Sequence, residues 1–463
     1  MNTHSAISRI QVLLIAAVIA FVTVGCSSGE QQSGLDESTQ QALINHPEWT
    51  KSANIYEVNI RQNTPEGTFN AFQEDLPRLK EMGVDIVWLM PIHPIGEKNR
   101  KGELGSYYSI KDYTAVNPNF GTLEDFKALV DSTHKHDMKL IIDWVPNHTA
   151  WDHPWVTEHP EYYAKDSTGA ITYEADWTDI ALLNYDNKEL WPKMIDAMKY
   201  WINETNIDGF RVDHASHEIP MAFWEQAVPE IDQEKEGLFW LAEWDEPKLH
   251  PVFDASYPWE YFHMTTEIAK QNQPLSAIDE YMEKEQERYP EHAYRMYFTS
   301  NHDENSWNGT DRELFGENFR NFAVLAATID GMPLVYNGQE SGLYKQLEFF
   351  EKDTVNWKEY KNQEFYATLF DLKDRNEALW NGQYGGDFVK VANDKADSVY
   401  SFKRVKGDEE VIVVLNLSGN TYSVNFPGMV SEATYTNVFS GEEQVLGAGA
   451  VSMAPHSYLV LEK

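Results

Sequence analysis

Four carboxylates recur in one setting: Asp143, Asp213 and Glu243 each close a short apolar or β-branched run, and Asp303 follows just past another. A single acid after a strand is uninformative, because Asp commonly caps the next helix or turns the chain. Four in register suggest chemistry. Cleaving a glycosidic bond with retention needs an ionised carboxylate to attack the anomeric carbon and a protonated one to release the leaving oxygen. Their surroundings must push the two pKa values apart. Arg211 lies two residues before Asp213, so on a strand both side chains share a face, and a guanidinium there favours the charged carboxylate. Asp213 is therefore the expected nucleophile. Glu243 lies within Phe239-Trp240-Leu241-Ala242-Glu243-Trp244, where apolar neighbours disfavour ionisation, and is the expected acid.

These acids need a scaffold that presents strand ends together. Short apolar runs alternate with longer amphipathic stretches, the signature of strand and crossover helix in a parallel sheet. Strands are expected at residues 54–60, 85–90, 139–144, 208–213, 239–243, 252–253, 295–300 and 334–337. Eight in succession predict a closed (β/α)8 TIM barrel, whose chemistry sits at the C-terminal strand ends. The long third-to-fourth spacing, rich in His, Pro, Asp and Trp, predicts a small excursion domain at 146–184. After Trp380 the period changes to two, which predicts a C-terminal antiparallel β-sandwich domain. The expected organisation is a lipoprotein signal peptide at 1–25, a flexible tether at 26–48, the barrel at 49–380 and the β domain at 381–463.

The balance of 74 acidic against 37 basic residues gives a net charge of −37, which repels nucleic acid and anionic surfaces and suits a neutral partner. It serves solubility equally and names no substrate. Residues 12–24 form an apolar run too short for an ordinary transmembrane helix, which needs ~20 residues, and read as a signal-peptide core. Cys26, the one cysteine, ends that core in Thr23-Val24-Gly25-Cys26, which resembles the lipobox of bacterial lipoproteins, although Thr23 departs from the usual Leu. The expected location is a bacterial envelope membrane, periplasmic or cell-surface face, held by lipid on Cys26. With one cysteine, no intramolecular disulfide forms. Oligomeric state is not legible.

The motifs resemble glycoside hydrolase family 13, the α-amylase family. Asp143-Trp144-Val145-Pro146-Asn147-His148, Gly209-Phe210-Arg211-Val212-Asp213-His214-Ala215-Ser216-His217, the segment around Glu243, and Asn301-His302-Asp303 occur in the family's order. The resemblance implies Asp213 as nucleophile, Glu243 as acid/base and Asp303 as a third carboxylate gripping sugar hydroxyls. It implies that Arg211 orients the nucleophile, that His148 and His302 hydrogen-bond the sugar beside the scissile bond, and that Tyr108 stacks beneath it. His217 matches a position that is Lys or His in many α-amylases, and Asp143 is a support residue.

Many members carry a structural Ca2+, for which the resemblance offers Asn147 and Asp179 with the backbone carbonyl at the position of His217. A second calcium loop found in some relatives is absent from residues 61–67. No organic cofactor is implied. The expected reaction is hydrolysis of α-1,4 bonds in starch, glycogen or maltodextrin through a covalent intermediate. An α-1,6-cleaving or exo-acting α-glucosidase, or a transglycosylase, shares the same acids. From another class comes a non-catalytic glycan-binding surface lipoprotein, a reading that the presence of all three acids disfavours.

Overall fold

The alternation of apolar strand and amphipathic helix builds the expected barrel in a computed structural model that describes residues 45–428, 433–447 and 449–463. Cys26, the signal peptide and nearly all of the tether lie outside the described residues. The barrel strands are β1 (Ile55–Val58), β2 (Ile86–Leu89), β3 (Lys139–Trp144), β6 (Gly209–Val212), β7 (Phe239–Ala242), β8 (Ala255–Ser256), β9 (Tyr294–Tyr297) and β10 (Met332–Tyr336). They pair in parallel and in chain order, and β10 closes on β1 with Leu334 opposite Ile55. Between β3 and β6, strands β4 (His148–Ala150) and β5 (Ile180–Leu182) form an antiparallel pair at the base of the excursion.

Parallel strands wrapped by helices are buried on both faces. All four residues of β1, β2, β6, β7 and β9 are accordingly buried. The helix Leu123–Lys135 shows how the outer ring attaches. Thr122 and Asp125 form a capping box, and Phe126, Leu129, Val130 and Thr133 fall on one buried stripe. Gly209 opens β6 at φ 147°, where a Cβ would meet the Phe239 carbonyl oxygen at 1.9 Å, so the close approach of β6 to β7 requires glycine.

Two expectations are corrected. The sixth strand is Ala255–Ser256, not 252–253: Val252 and Phe253 are buried, but they lie in the turn that precedes the ladder. Apolarity there reported burial and not extension. Packing on the barrel also begins before residue 49, since His46 is buried with Nδ1 at 2.6 Å from Asp254 Oδ1.

The C-terminal region contains β11 (Asp387–Lys390), β12 (Val399–Lys406), β13 (Glu409–Asn416), β14 (Tyr422–Val424), β15 (Thr434–Asn437), β16 (Glu443–Val445), β17 (Val451–Met453) and β18 (Tyr458–Glu462). Six form an antiparallel sheet in the order β11-β12-β13-β18-β15-β16, and β14 pairs with β17 as a second, smaller sheet. The period of two is explicit along β13. Val411, Val413 and Leu415 join the core of the barrel, while Ile412 and Val414 pack with Val424, Val451 and Met453. One face of β13 thus joins the barrel core, and the other packs into a separate core within the β domain. Among the described residues, no helix is long and apolar enough to cross a membrane.

Candidate active site

The strand ends bring the expected acids to one cleft of about 510 Å3, lined by Tyr108, His148, Asp213, Glu243, His302 and Asp303. Asp213 follows β6 and Glu243 follows β7, whose ladder places Val212 opposite Ala242. Carboxylate oxygens of Asp213 and Glu243 and a ring nitrogen of His214 all lie within 4.8 Å of one another.

Arg211 is fully buried beneath them. Its Nη1 donates to Asp143 Oδ1 at 2.9 Å and to Asp213 Oδ1 at 3.1 Å, and its Nη2 stands 2.7 Å from Glu243 Oε1, an ion pair without good hydrogen-bond alignment. The expected shared face of Arg211 and Asp213 is therefore observed. Arg211 nevertheless lies outside the cleft lining, where it holds the carboxylates from below.

The expected apolar surroundings of Glu243 are corrected. Strand alternation turns Trp240 away, with its indole N–H donating to Asp232 Oδ1 at 3.0 Å. Glu243 instead receives Arg211 on Oε1 and the His214 backbone N–H on Oε2 at 3.0 Å. Burial would raise its pKa, but Arg211 and His214 outweigh that and hold it at about 2. Asp213 moves the other way. Burial, then the charge of Glu243, raise it well above the ordinary carboxylate range against the pull of Arg211, and its Oδ2 is buried without a hydrogen-bond partner among the described residues.

Tyr108 and His302 form the opposite edge. The Tyr108 hydroxyl donates to Asp143 Oδ2 at 3.1 Å and accepts from His302 Nε2–H at 2.7 Å, and the two rings stack at 5.4 Å. His302 Nε2 is also 3.2 Å from Asp303 Oδ2. Its Nδ1 lies 2.5 Å from Glu57 Oε1, and with a carboxylate acceptor there and the Tyr108 hydroxyl donating to Asp143, both ring nitrogens are assigned as donors. Burial would lower the pKa of His302, but Asp303 and Glu57 outweigh it and raise it to about 9. Burial, opposed by Arg211, raises Asp143 to about 8. His148 lines the cleft, yet its Nε2–H is directed to the Tyr108 carbonyl at 3.1 Å; burial and then His214 lower its pKa to about 3, so the ring is neutral.

His217 is not brought to the cleft. Its Nε2 contacts both carboxylate oxygens of Glu174 at 2.8 Å, and His214 lines the cavity in its place. His214 sits at φ 47°, a left-handed conformation uncommon for a residue with a Cβ, which turns the chain directly after Asp213.

The calcium expectation rests on two residues in different states. Asn147 Oδ1 is buried without a hydrogen-bond partner among the described residues, as a waiting ligand would be. Asp179, however, already faces the ammonium of Lys101, with Oδ1 3.3 Å from Nζ. As placed, with Lys101 at Asp179, the two do not fit a calcium ion.

Sequence reasoning missed Glu57, Lys101, His214, Trp177, Trp307, Phe349 and Phe350. The last three aromatics line the cleft with Trp177, and Trp307 is 54% exposed on a π-helical turn (Glu304–Asn308) with its ring 5.2 Å from that of Phe349. Their signal was only proximity to the fourth motif and the last barrel strand. Loop residues carry no period that would have marked them.

A closed parallel barrel with paired carboxylates at its C-terminal strand ends defines a barrel glycosidase. The sequence matches the description "Alpha amylase, catalytic domain" over residues 37–177 and 166–409, and "Alpha amylase, C-terminal all-beta domain" over 390–457. The chain belongs to the α-amylase family and is a glycoside hydrolase. It is similar to a crystal structure of an alpha-amylase from Lactobacillus plantarum, at 28% identity and TM-score 0.81 over 90% of this chain and 99% of that one. It is equally similar to a noncanonic maltogenic alpha-amylase from Thermotoga neapolitana, at 30% identity and TM-score 0.81 over 89% and 99%. Among curated relatives, an alpha-1,4-glucan:maltose-1-phosphate maltosyltransferase of Picrophilus torridus is 28% identical over 81% of this chain, which spans 62% of that protein's length.

Proposed function

We propose that this protein hydrolyses α-1,4-glucosidic bonds of starch, glycogen or maltodextrin with retention of configuration. The carrying observation is the placement of Asp213 and Glu243 oxygens within 4.8 Å across an aromatic-lined cleft. Retaining enzymes hold their carboxyls about 5–5.5 Å apart, whereas inverting enzymes leave about 6.5–9.5 Å for a water. Asp213 Oδ attacks the anomeric carbon as the bond to the leaving oxygen breaks, and Glu243 gives that oxygen its proton. Glu243 then takes a proton from water, whose oxygen attacks the same carbon and frees Asp213.

For this chemistry Asp213 must be ionised and Glu243 protonated once sugar is bound. A bound sugar provides the drive, because positive charge developing at the anomeric carbon favours an ionised Asp213. Support for an α-glucan comes from the family and from what the alpha-amylase relatives are named for. Maltoheptaose digestion followed by NMR of the fresh anomeric proton tests the reading; product appearing first as the β anomer would overturn it.

One observation favours a second reading. Trp307, exposed at the cleft beside Asp303, offers a platform for an incoming sugar in place of water, and several relatives are named maltosyltransferases. Maltotriose converted into longer saccharides would establish transglycosylation. We also propose that Cys26 carries a lipid that holds the enzyme to a bacterial envelope membrane, supported by Thr23-Val24-Gly25-Cys26 alone; absence of lipid on the mature N-terminus by mass spectrometry would refute it.

A further inference from the structure

Glu57 lies in Ile55-Tyr56-Glu57-Val58, a strand buried on both faces, and is itself 0% exposed. Its ladder neighbours are Trp88 on β2 and Tyr336 on β10. An isolated carboxylate there would cost several kcal/mol, so the position demands a partner. That partner is His302, 245 residues away in sequence, at 2.5 Å through Nδ1. The other face of the same ring reaches Tyr108 at 2.7 Å and Asp303 at 3.2 Å, both of which line the cleft.

We propose that Glu57 is a positioning residue for the glycosidic reaction: by accepting the Nδ1–H of His302 it fixes that ring and aims its Nε2–H at the Tyr108 and Asp303 edge of the cleft. Glu57 touches no substrate and acts through His302, in the manner of a carboxylate that orients a functional histidine. Trp88 packs edge-to-face on the ring at 6.0 Å and blocks rotation. The charged and titratable groups around His302 are Glu57 from β1, Tyr108 from the loop after β2, Asp143 from β3, Arg211 from β6 and adjacent Asp303. Arg211 opposes the imidazolium, and Glu57 and Asp303 support it.

The inference rests on the glycosidase reading, and its test separates the two. Glu57→Gln keeps an acceptor of the same shape but removes the charge. If the wild type cleaves maltoheptaose, Glu57→Gln is expected to keep most activity near pH 6 and to fall at least about 10-fold further behind wild type near pH 8.5, one pKa unit being a factor of ten. Glu57→Asp, which restores the charge, should recover part of the alkaline activity. An equal fractional loss at every pH would mean a merely structural role and overturn the proposal. A wild type inactive on every α-glucan would instead overturn the glycosidase reading. Should Glu57→Gln fail to fold, 15N-histidine NMR of the wild type decides: both His302 nitrogens are expected protonated near pH 7.5, with the resonance assigned by its loss in His302→Gln. A neutral ring there overturns the proposal.

Discussion

Arg211 Nη2 stands 2.7 Å from Glu243 Oε1, so the guanidinium expected to serve the nucleophile also serves the acid. Nη1 meanwhile bridges Asp143 and Asp213. Lysine keeps the charge but, as a compact ammonium, cannot fork to three carboxylates. Arg211→Lys is therefore expected to lower kcat by about 100-fold or more and to destabilise the fold by about 2–5 kcal/mol through buried carboxylates left unpaired. Steady-state kinetics and urea unfolding check both; a variant within about 3-fold of wild-type kcat would show that the fork is dispensable.

Opposite shifts at the two catalytic acids predict opposite stability effects. The folded pKa of Glu243, about 2, lies below its ordinary 4.5, so its ionised form stabilises the fold. That contribution is complete above about pH 4.5 and is lost as pH falls toward 2. Asp213 has a raised folded pKa, so its stabilising form is the neutral one, complete below its ordinary 3.8 and lost as pH rises through the raised value. At about pH 7, Glu243→Gln should therefore lower Tm and Asp213→Asn should raise it, while both lose several orders of magnitude in kcat. Calorimetry reads this directly, and Tm shifts of the same sign would refute the opposite shifts of the two acids.

The barrel was legible because burial on both faces leaves near-continuous apolar runs, and the acids because three close such a run and Asp303 follows just past one. Their shared setting marked Asp143, Asp213, Glu243 and Asp303 together, while the separate roles of Asp143 and Asp303 came only with the resemblance. The electrostatics were legible only in part: Arg211 beside Asp213 followed from strand alternation, but its reach to Glu243 depends on the β6–β7 register, which one strand cannot report. Trp240 misled for the same reason, being adjacent in sequence and opposite in direction. Glu57 was invisible because its partner lies 245 residues away, past the end of β9, and His217 was placed by resemblance where Glu174 claims it.

Lys101 joins the loop after β2 to the excursion, its ammonium donating to the Asp176 carbonyl at 2.8 Å and pairing with Asp179 at 3.3 Å. A cation already faces the carboxylate expected to hold calcium. Chelation of the wild type should thus move Tm by less than about 2 °C. Lys101→Ala frees Asp179 and loosens one wall of the cleft, so KM for maltoheptaose should rise several-fold. A large Tm loss on chelation of the wild type would show that calcium displaces Lys101.

Trp307 is the most exposed aromatic at the cleft, steadied by Phe349 at 5.2 Å and Phe350 at 5.8 Å. At 54% exposure it contributes little to the core, so Trp307→Ala should leave Tm nearly unchanged. A stacking contact of about 0.5–1.5 kcal/mol corresponds to a rise in KM of roughly 2- to 12-fold. If the ring holds an acceptor sugar and not the donor, the loss separates by reaction: hydrolysis of maltoheptaose persists while any synthesis of longer saccharides from maltotriose disappears. Measuring both products in one time course distinguishes the two roles, and unchanged KM with an unchanged product ratio would remove Trp307 from the binding surface.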